Sequence, residues 1–85
     1  MDKGKLTQEE RGLLRRNPNV KRVYEKRIIY TNDFKLHFIE EYTHGKKPQC
    51  IFEEAGFDPA VLGNKRIERA SARWRKAYIE GKLTR

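Results

Sequence analysis

Lys65, Arg66, Arg69, Arg73 and Lys76 stand near the end of this 85-residue sequence. On a helix they would share about 100° of arc. That face would carry five cations and no carboxylate, because Glu68 falls on a flank. Like charges at helical spacing repel by about 0.2–0.5 kcal/mol per pair, whereas a face built only for solubility interleaves Glu with Lys and gains a similar amount. A polyanion would offset the repulsion. Arginine outnumbers lysine here, and its planar fork can clamp a phosphate or take guanine O6 and N7 with two bonds. The plainer reading is an exposed face with no ligand.

The other residues with chemical capacity point to less. His37 and His44, seven apart, could join Cys50 as three metal ligands, but structural zinc takes four at compact spacing. Cys50 beside a histidine has no third group to orient a nucleophile pair. Glu40-Glu41 and Glu53-Glu54 would point about 100° apart on helices, not into one acid–base cleft. They read as an acidic flank or as partners of Lys35 and Lys46-Lys47. No catalytic residue, metal or cofactor is expected.

The cations form a face only if their segment is helical, and the sequence predicts that it is. Ile67, Ala70, Ser71, Trp74 and Tyr78 make a core-facing stripe within about 100° of arc on the other side. Trp74 reads as the anchor of that stripe, although a tryptophan can also stack on an unpaired base. The helix runs from Asn64 to about Glu80 and closes at Gly81. Before it, Asp58 as cap and Pro59 at the first position predict one short helical turn ended by Gly63. Pro48 opens a third helix to Ala55, stopped by Gly56, with Ile51, Phe52 and Ala55 inward. Thr31 caps a second helix over Asn32 to His44, where Phe34, Phe38 and Tyr42 form one stripe and Gly45 ends it. Residues 20–31 have strand propensity, with Glu25-Lys26 as the turn of a small hairpin, although Val20 and Val23 do not alternate. Thr7 with Glu10 makes a capping box for a first helix to about Arg16, halted by Asn17-Pro18.

Composition sets the frame. Hydrophobic residues make up 36% and charged residues 38%, so the core must be compact in a chain that hides only about 60% of its unfolded surface. Aromatics at 11% exceed what a disordered tail carries. No apolar run approaches the roughly 20 residues of a membrane span, and Met1 to Lys5 lead into no signal-peptide stretch. A single cysteine builds no disulfide framework, and the expected compartment is the reducing cytoplasm. Net charge is +8, distributed as +5 over residues 1–30, −3 over 31–58 and +6 over 59–85. Positive charge gathered at both ends invites nucleic acid.

A resemblance adds to this. Tyr30-Thr31-Asn32-Asp33-Phe34-Lys35, Ile39-Glu40-Glu41-Tyr42, Gly45-Lys46-Lys47-Pro48 and Ile51-Phe52-Glu53-Glu54-Ala55-Gly56-Phe57-Asp58 resemble the helix-turn-helix of insertion-element transposases. The type is that encoded by the first reading frame of bacterial mobile elements. Leu62-Gly63, Arg66-Ile67 and Arg73-Trp74-Arg75-Lys76 fit the same pattern, so the likeness covers about residues 17–80. The resemblance implies a DNA-binding module that recognises element ends or regulates transposition, with strand-transfer chemistry on a separate, larger domain. It makes Pro48–Ala55 the positioning helix, Gly56 the tight turn and the basic helix the reading element. In departure from the pattern, Pro59–Leu62 and Gly63 intervene, so the groove-entering element is either 59–62 or 65–80. The second is preferred, because 59–62 offers no basic or amide side chain for base edges. Zippers often follow this module in the family, and no heptad run occurs here.

The expected fold is mainly α: a homeodomain-like helix-turn-helix bundle of about four helices with a short β-hairpin near residues 20–31. Residues 7–80 form the domain, and 1–6 and 81–85 fray. Phe34, Phe38, Tyr42, Ile51, Phe57, Leu62, Ile67, Trp74 and Tyr78 are the expected core. The expected function is DNA binding without catalysis, with double-stranded DNA as partner and a separate catalytic transposase subunit as a second. Lys65, Arg69 and Lys76 would meet phosphates, and Arg66 and Arg73 base edges. Lys46, Lys47, Arg15 and Arg16 would add backbone contacts, with Lys21-Arg22 and Lys26-Arg27 beyond. The alternatives are a protein-interaction adaptor, using the acidic middle or Leu36, and an RNA or single-strand module. The expected location is a bacterial cytoplasm, at the nucleoid when DNA-bound.

Overall fold

A computed structural model describes residues 5–83. Helix α1 (Gln8–Arg15) starts at the expected capping box: the Thr7 hydroxyl accepts the Glu10 N–H at 3.1 Å, and the Glu10 carboxylate accepts the Thr7 N–H at 2.9 Å. Leu14 packs inward while Leu13 stays exposed. Strands β1 (Val20–Val23) and β2 (Ile28–Tyr30) form an antiparallel hairpin that bends at Glu25-Lys26. The odd spacing of Val20 and Val23 has a simple cause. Val20 opposes Tyr30 but Arg22 opposes Ile29, so a β-bulge inserts one residue and lets both valines approach the core. Packing of α1 against β1 supports strands that would be marginal alone.

Four further helices follow: α2 (Asn32–Thr43), α3 (Pro48–Glu54), the one-turn α4 (Pro59–Leu62) and α5 (Asn64–Ile79). The described residues therefore hold five helices, in line with the expected bundle of about four helices and the short helical turn expected at 59–62. Thr31 and Asp58 cap α2 and α4 through their side chains, accepting the Phe34 and Ala60 N–H groups at 3.2 and 2.9 Å. At the end of α3 the Phe57 N–H returns to the Phe52 carbonyl at 3.0 Å, with Gly56 at φ 92° between them. This six-to-one closure needs a left-handed residue, and glycine takes that conformation without the Cβ clash. It turns the chain sharply, so Phe57 drops into the core directly after α3.

The core is one cluster. Tyr30, Phe34, Phe52, Phe57 and Trp74 interlock, with ring centroids 5.1–5.7 Å apart and many pairs edge-on, a geometry worth about 0.5–1.5 kcal/mol per pair beyond area burial. Two of the expected core residues stand differently. Tyr42 is half-buried, and Tyr78 is 52% exposed. At its last turn α5 extends past the centre of the bundle, the buried stripe drifts round to Ala77, and Tyr78 rests over a groove against α2 lined by Leu36, Ile39 and Thr43. The ends expected to fray are described only in part. Residues 1–4 and 84–85 lie outside the described residues, but Leu6 and Leu83 are buried. The Leu6 N–H is held by the Glu25 carbonyl at 2.6 Å, and the turn after α5, closed by Lys82 N–H to Ala77 carbonyl at 2.8 Å, brings Leu83 back to the core.

Candidate nucleic-acid interface

The rotational setting of α5 decides which side chains it presents. Trp74, 4% exposed, fixes that setting from inside, with Tyr30, Phe38, Phe34 and Phe52 at 5.1, 5.2, 5.7 and 5.7 Å. Ile67 and Ser71 are buried on the same side. Two arginines fix the flanks. Arg75 sends Nε to the Ser71 carbonyl and Nη1 to the Tyr42 hydroxyl, each at 3.2 Å, and its guanidinium lies 4.9 Å from the Tyr42 ring centre. That flank is locked to α2. On the other flank, half-buried Arg66 donates from Nη1 to the Leu62 carbonyl at 2.9 Å, and its charge reaches the Tyr30 hydroxyl.

What remains outward is the cationic face. Lys65, Arg69, Arg73 and Lys76 are all exposed, and among the described residues none of the four makes an ion pair. Arg66 stands apart from them, turned toward the body of the domain. The first turn of α5 carries Lys65 and Arg66, has no acidic residue and receives no side-chain cap. Cations at a helix N-terminus oppose the helix dipole, where an anion would be favoured by about 0.3–1 kcal/mol.

The secondary cations are scattered. Arg15 and Arg16 are exposed where α1 ends, beside β1, and Lys47 is exposed at the start of α3. Lys46 is engaged: its ammonium lies 2.6 Å from Glu54 and 3.4 Å from Glu41, closing α2 onto α3 across the turn. Its hydrogen bond to the Glu54 carboxylate is the largest influence raising its pKa, with the Glu41 and Glu54 charges adding to it. Glu41 and Glu54 are thus the partners expected for Lys46, while Glu40 and Glu53 are exposed. His37 faces Glu41 at 3.8 Å, His44 Nδ1 lies 2.7 Å from the Glu40 carbonyl, and Cys50 is exposed. Among the described residues no three metal-capable side chains converge.

Sequence reasoning missed two positioning devices. One is the Arg75 clamp, whose signal was an arginine four residues after Ser71 and an aromatic one turn beyond Phe38. The other is a buckle: the Asn17 and Asn19 side-chain amides both donate to the Ala55 carbonyl, at 3.0 and 3.2 Å. It ties the loop before the hairpin to the turn after α3, whereas in the sequence Asn17-Pro18 signals only a helix stop.

Two helices joined by a glycine turn, followed by a long helix with a cationic outer face, define a helix-turn-helix domain. The whole chain, residues 1–85, matches the family described as transposon-related helix-turn-helix domain proteins, and it belongs to that family. The expected resemblance is thereby met, and membership suggests a DNA-binding helix-turn-helix module for a transposase. No curated protein and no solved structure matches the chain. Among the described residues no helix is long and apolar enough to cross a membrane.

Proposed function

We propose that this domain is a non-catalytic, homeodomain-like module that binds duplex DNA at element ends or regulatory sites, using the outer face of α5. One observation carries the reading: Lys65, Arg69, Arg73 and Lys76 project from a helix whose opposite face is pinned by Trp74, and among the described residues no carboxylate pairs with them. An α-helix fits the major groove of B-form DNA. Lys65, Arg69 and Lys76 take phosphates, and Arg73 takes base edges. Arg66 joins Arg73 by exchanging the Leu62 carbonyl for an acceptor on a base. Arg15, Arg16 and Lys47 lie at the ends of α1 and α3 as backbone contacts, whereas Lys46 serves first to close α2 on α3.

Reversing charge in Arg69→Glu/Arg73→Glu tests this by gel shift on a mixed-sequence duplex, with a single-stranded probe of the same sequence alongside. The expected result is preference for duplex and loss of binding in the variant. Undiminished affinity would refute the choice of surface, and preference for the single strand would favour base stacking instead.

A second reading has its own observation. Tyr78, Leu36 and Ile39 line an apolar groove between α2 and α5, and Ile79 beside it is 84% exposed. A protein adaptor, docking for example a separate catalytic transposase subunit, would use that side. Co-purification that survives nuclease and high salt would support it.

A further inference from the structure

The hairpin holds a cationic surface that neither the core nor α5 explains. Val23 and Ile28 are paired and buried. On one side of that pair Arg22 opposes Ile29, and on the other the Tyr24 N–H donates to the Arg27 carbonyl at 2.8 Å. Residues one step from a buried pair point to the opposite face of a ribbon. Arg22, Tyr24 and Arg27 therefore share the outer face, and all three are exposed. The Arg27 guanidinium lies 5.7 Å from the Tyr24 ring centre, a cation–π contact that props its fork outward. Neither arginine meets a carboxylate among the described residues, and the acid of this segment, Glu25, is shared with Lys5 at 3.8 Å.

The hairpin also lies on the relevant side of α5. The Arg75 flank is locked to α2, while Arg66 on the other flank donates to the Leu62 carbonyl, and its charge acts on Tyr30 at the end of β2, whose ring packs against Trp74 of α5 at 5.1 Å. Arg73 sits within about 20° of Arg66 around the helix, so the cationic face adjoins the hairpin flank rather than the α2 flank. The longest dimension of the molecule is 35 Å, close to the roughly 34–36 Å of one turn of B-form DNA.

We propose that the outer face of the hairpin is a second DNA contact, in which Arg22 and Arg27 meet phosphodiester groups of the duplex that α5 binds, within one helical turn. This rests on the reading of α5 as a duplex-binding helix. Two unpaired guanidinium groups on a flat ribbon complement a backbone of regularly spaced anions. An unpaired base is the poorer occupant, because Arg27 already takes one face of the Tyr24 ring.

The test compares Arg22→Ala/Arg27→Ala and Arg22→Lys/Arg27→Lys with the unaltered protein on a mixed-sequence duplex of about 20 base pairs, which spans two turns at 3.4 Å per step. The alanine pair is expected to flatten the log–log dependence of affinity on salt by about 1.8, at about 0.9 per lost phosphate contact, and the lysine pair to keep it. The Arg69→Glu/Arg73→Glu protein, run in parallel, separates the two readings. If that protein loses binding while the alanine pair keeps the original slope, the hairpin contact is overturned and the α5 reading stands. If it binds like the unaltered chain, the α5 reading falls and takes the second contact with it. A folded lysine pair that loses slope as the alanine pair does would also overturn the proposal, since charge would not be what this face supplies.

Discussion

The cationic face of α5 makes a countable prediction. Four of its five cations, Lys65, Arg69, Arg73 and Lys76, are exposed and free of ion pairs among the described residues, while Arg66 is occupied at the Leu62 carbonyl. If Lys65, Arg69 and Lys76 each neutralise one phosphate while Arg73 reads base edges, α5 alone contributes about −2.7 to the slope of log affinity against log salt. Raising salt from about 50 to about 200 mM then weakens binding roughly 40-fold. Arg69→Ala/Lys76→Ala removes two contacts, lowers the contribution to about −0.9 and leaves a weakening of roughly 3.5-fold over the same range. Contacts elsewhere on the protein steepen both lines and leave their difference of about 1.8 unchanged. Fluorescence anisotropy of a labelled duplex, titrated at four or five salt concentrations, reads that difference. Both side chains are solvent-facing, so the variant should fold as before. Parallel lines for the two proteins would mean that Arg69 and Lys76 touch no phosphate, and the surface assignment would be refuted.

Two predictions concern the scaffold. Gly56→Ala places a Cβ 3.2 Å from Asn17 Nδ2 at a φ of 92°, and the left-handed conformation alone costs about 1–2 kcal/mol. Thermal melting by circular dichroism should fall by roughly 4–16 °C, whereas Gly12→Ala, which meets nothing within 4 Å in α1, should raise stability by up to about 1 kcal/mol; an unchanged Gly56→Ala melt would exclude the buckle as a structural element. Tyr30 is buried with its hydroxyl unpartnered among the described residues, and burial pushes its pKa from 10.0 up to about 12, opposed by the Arg66 charge. Its folded pKa lies above the unfolded one, so stability is intact below pH 10 and falls as pH rises towards 12, by about 3 kcal/mol in all. Tyr30→Phe should abolish that alkaline loss in urea titrations and leave neutral-pH stability equal or higher; a clear loss at neutral pH would show that the hydroxyl is hydrogen-bonded after all.

The local fold was legible because each element carries its own stop and start. Thr7, Thr31 and Asp58 cap helices through hydroxyl or carboxylate oxygens, and these interactions depend on residues two or three positions away. Long-range placement was less legible. Nothing in the spacing of Val20 and Val23 identifies a bulge, which exists only because the partner strand sets the register. Leu6 and Leu83 lie in polar, terminal contexts, and their burial depends on chain reversals that bring them to a core built elsewhere. Tyr78 fits the periodic stripe, but periodicity does not say where the neighbouring helices end.

The cationic face shows the same division. A helical wheel placed Lys65, Arg66, Arg69, Arg73 and Lys76 together, and it could not distinguish Arg66 from the rest. The distinction comes from Gly63, whose φ of 83° breaks α4 from α5 and leaves the end of α4 without a continuing helix. Carbonyls at a helix end need partners, and Arg66, four residues after Leu62, supplies one with its guanidinium. The break that separates the two helices thus draws in an arginine to join them. Lys46 is diverted in the same way, by carboxylates that the Gly45 turn brings together from α2 and α3. Charge counted along the sequence therefore overstates the charge free to meet a ligand, and the excess lies where helices end and their groups need partners.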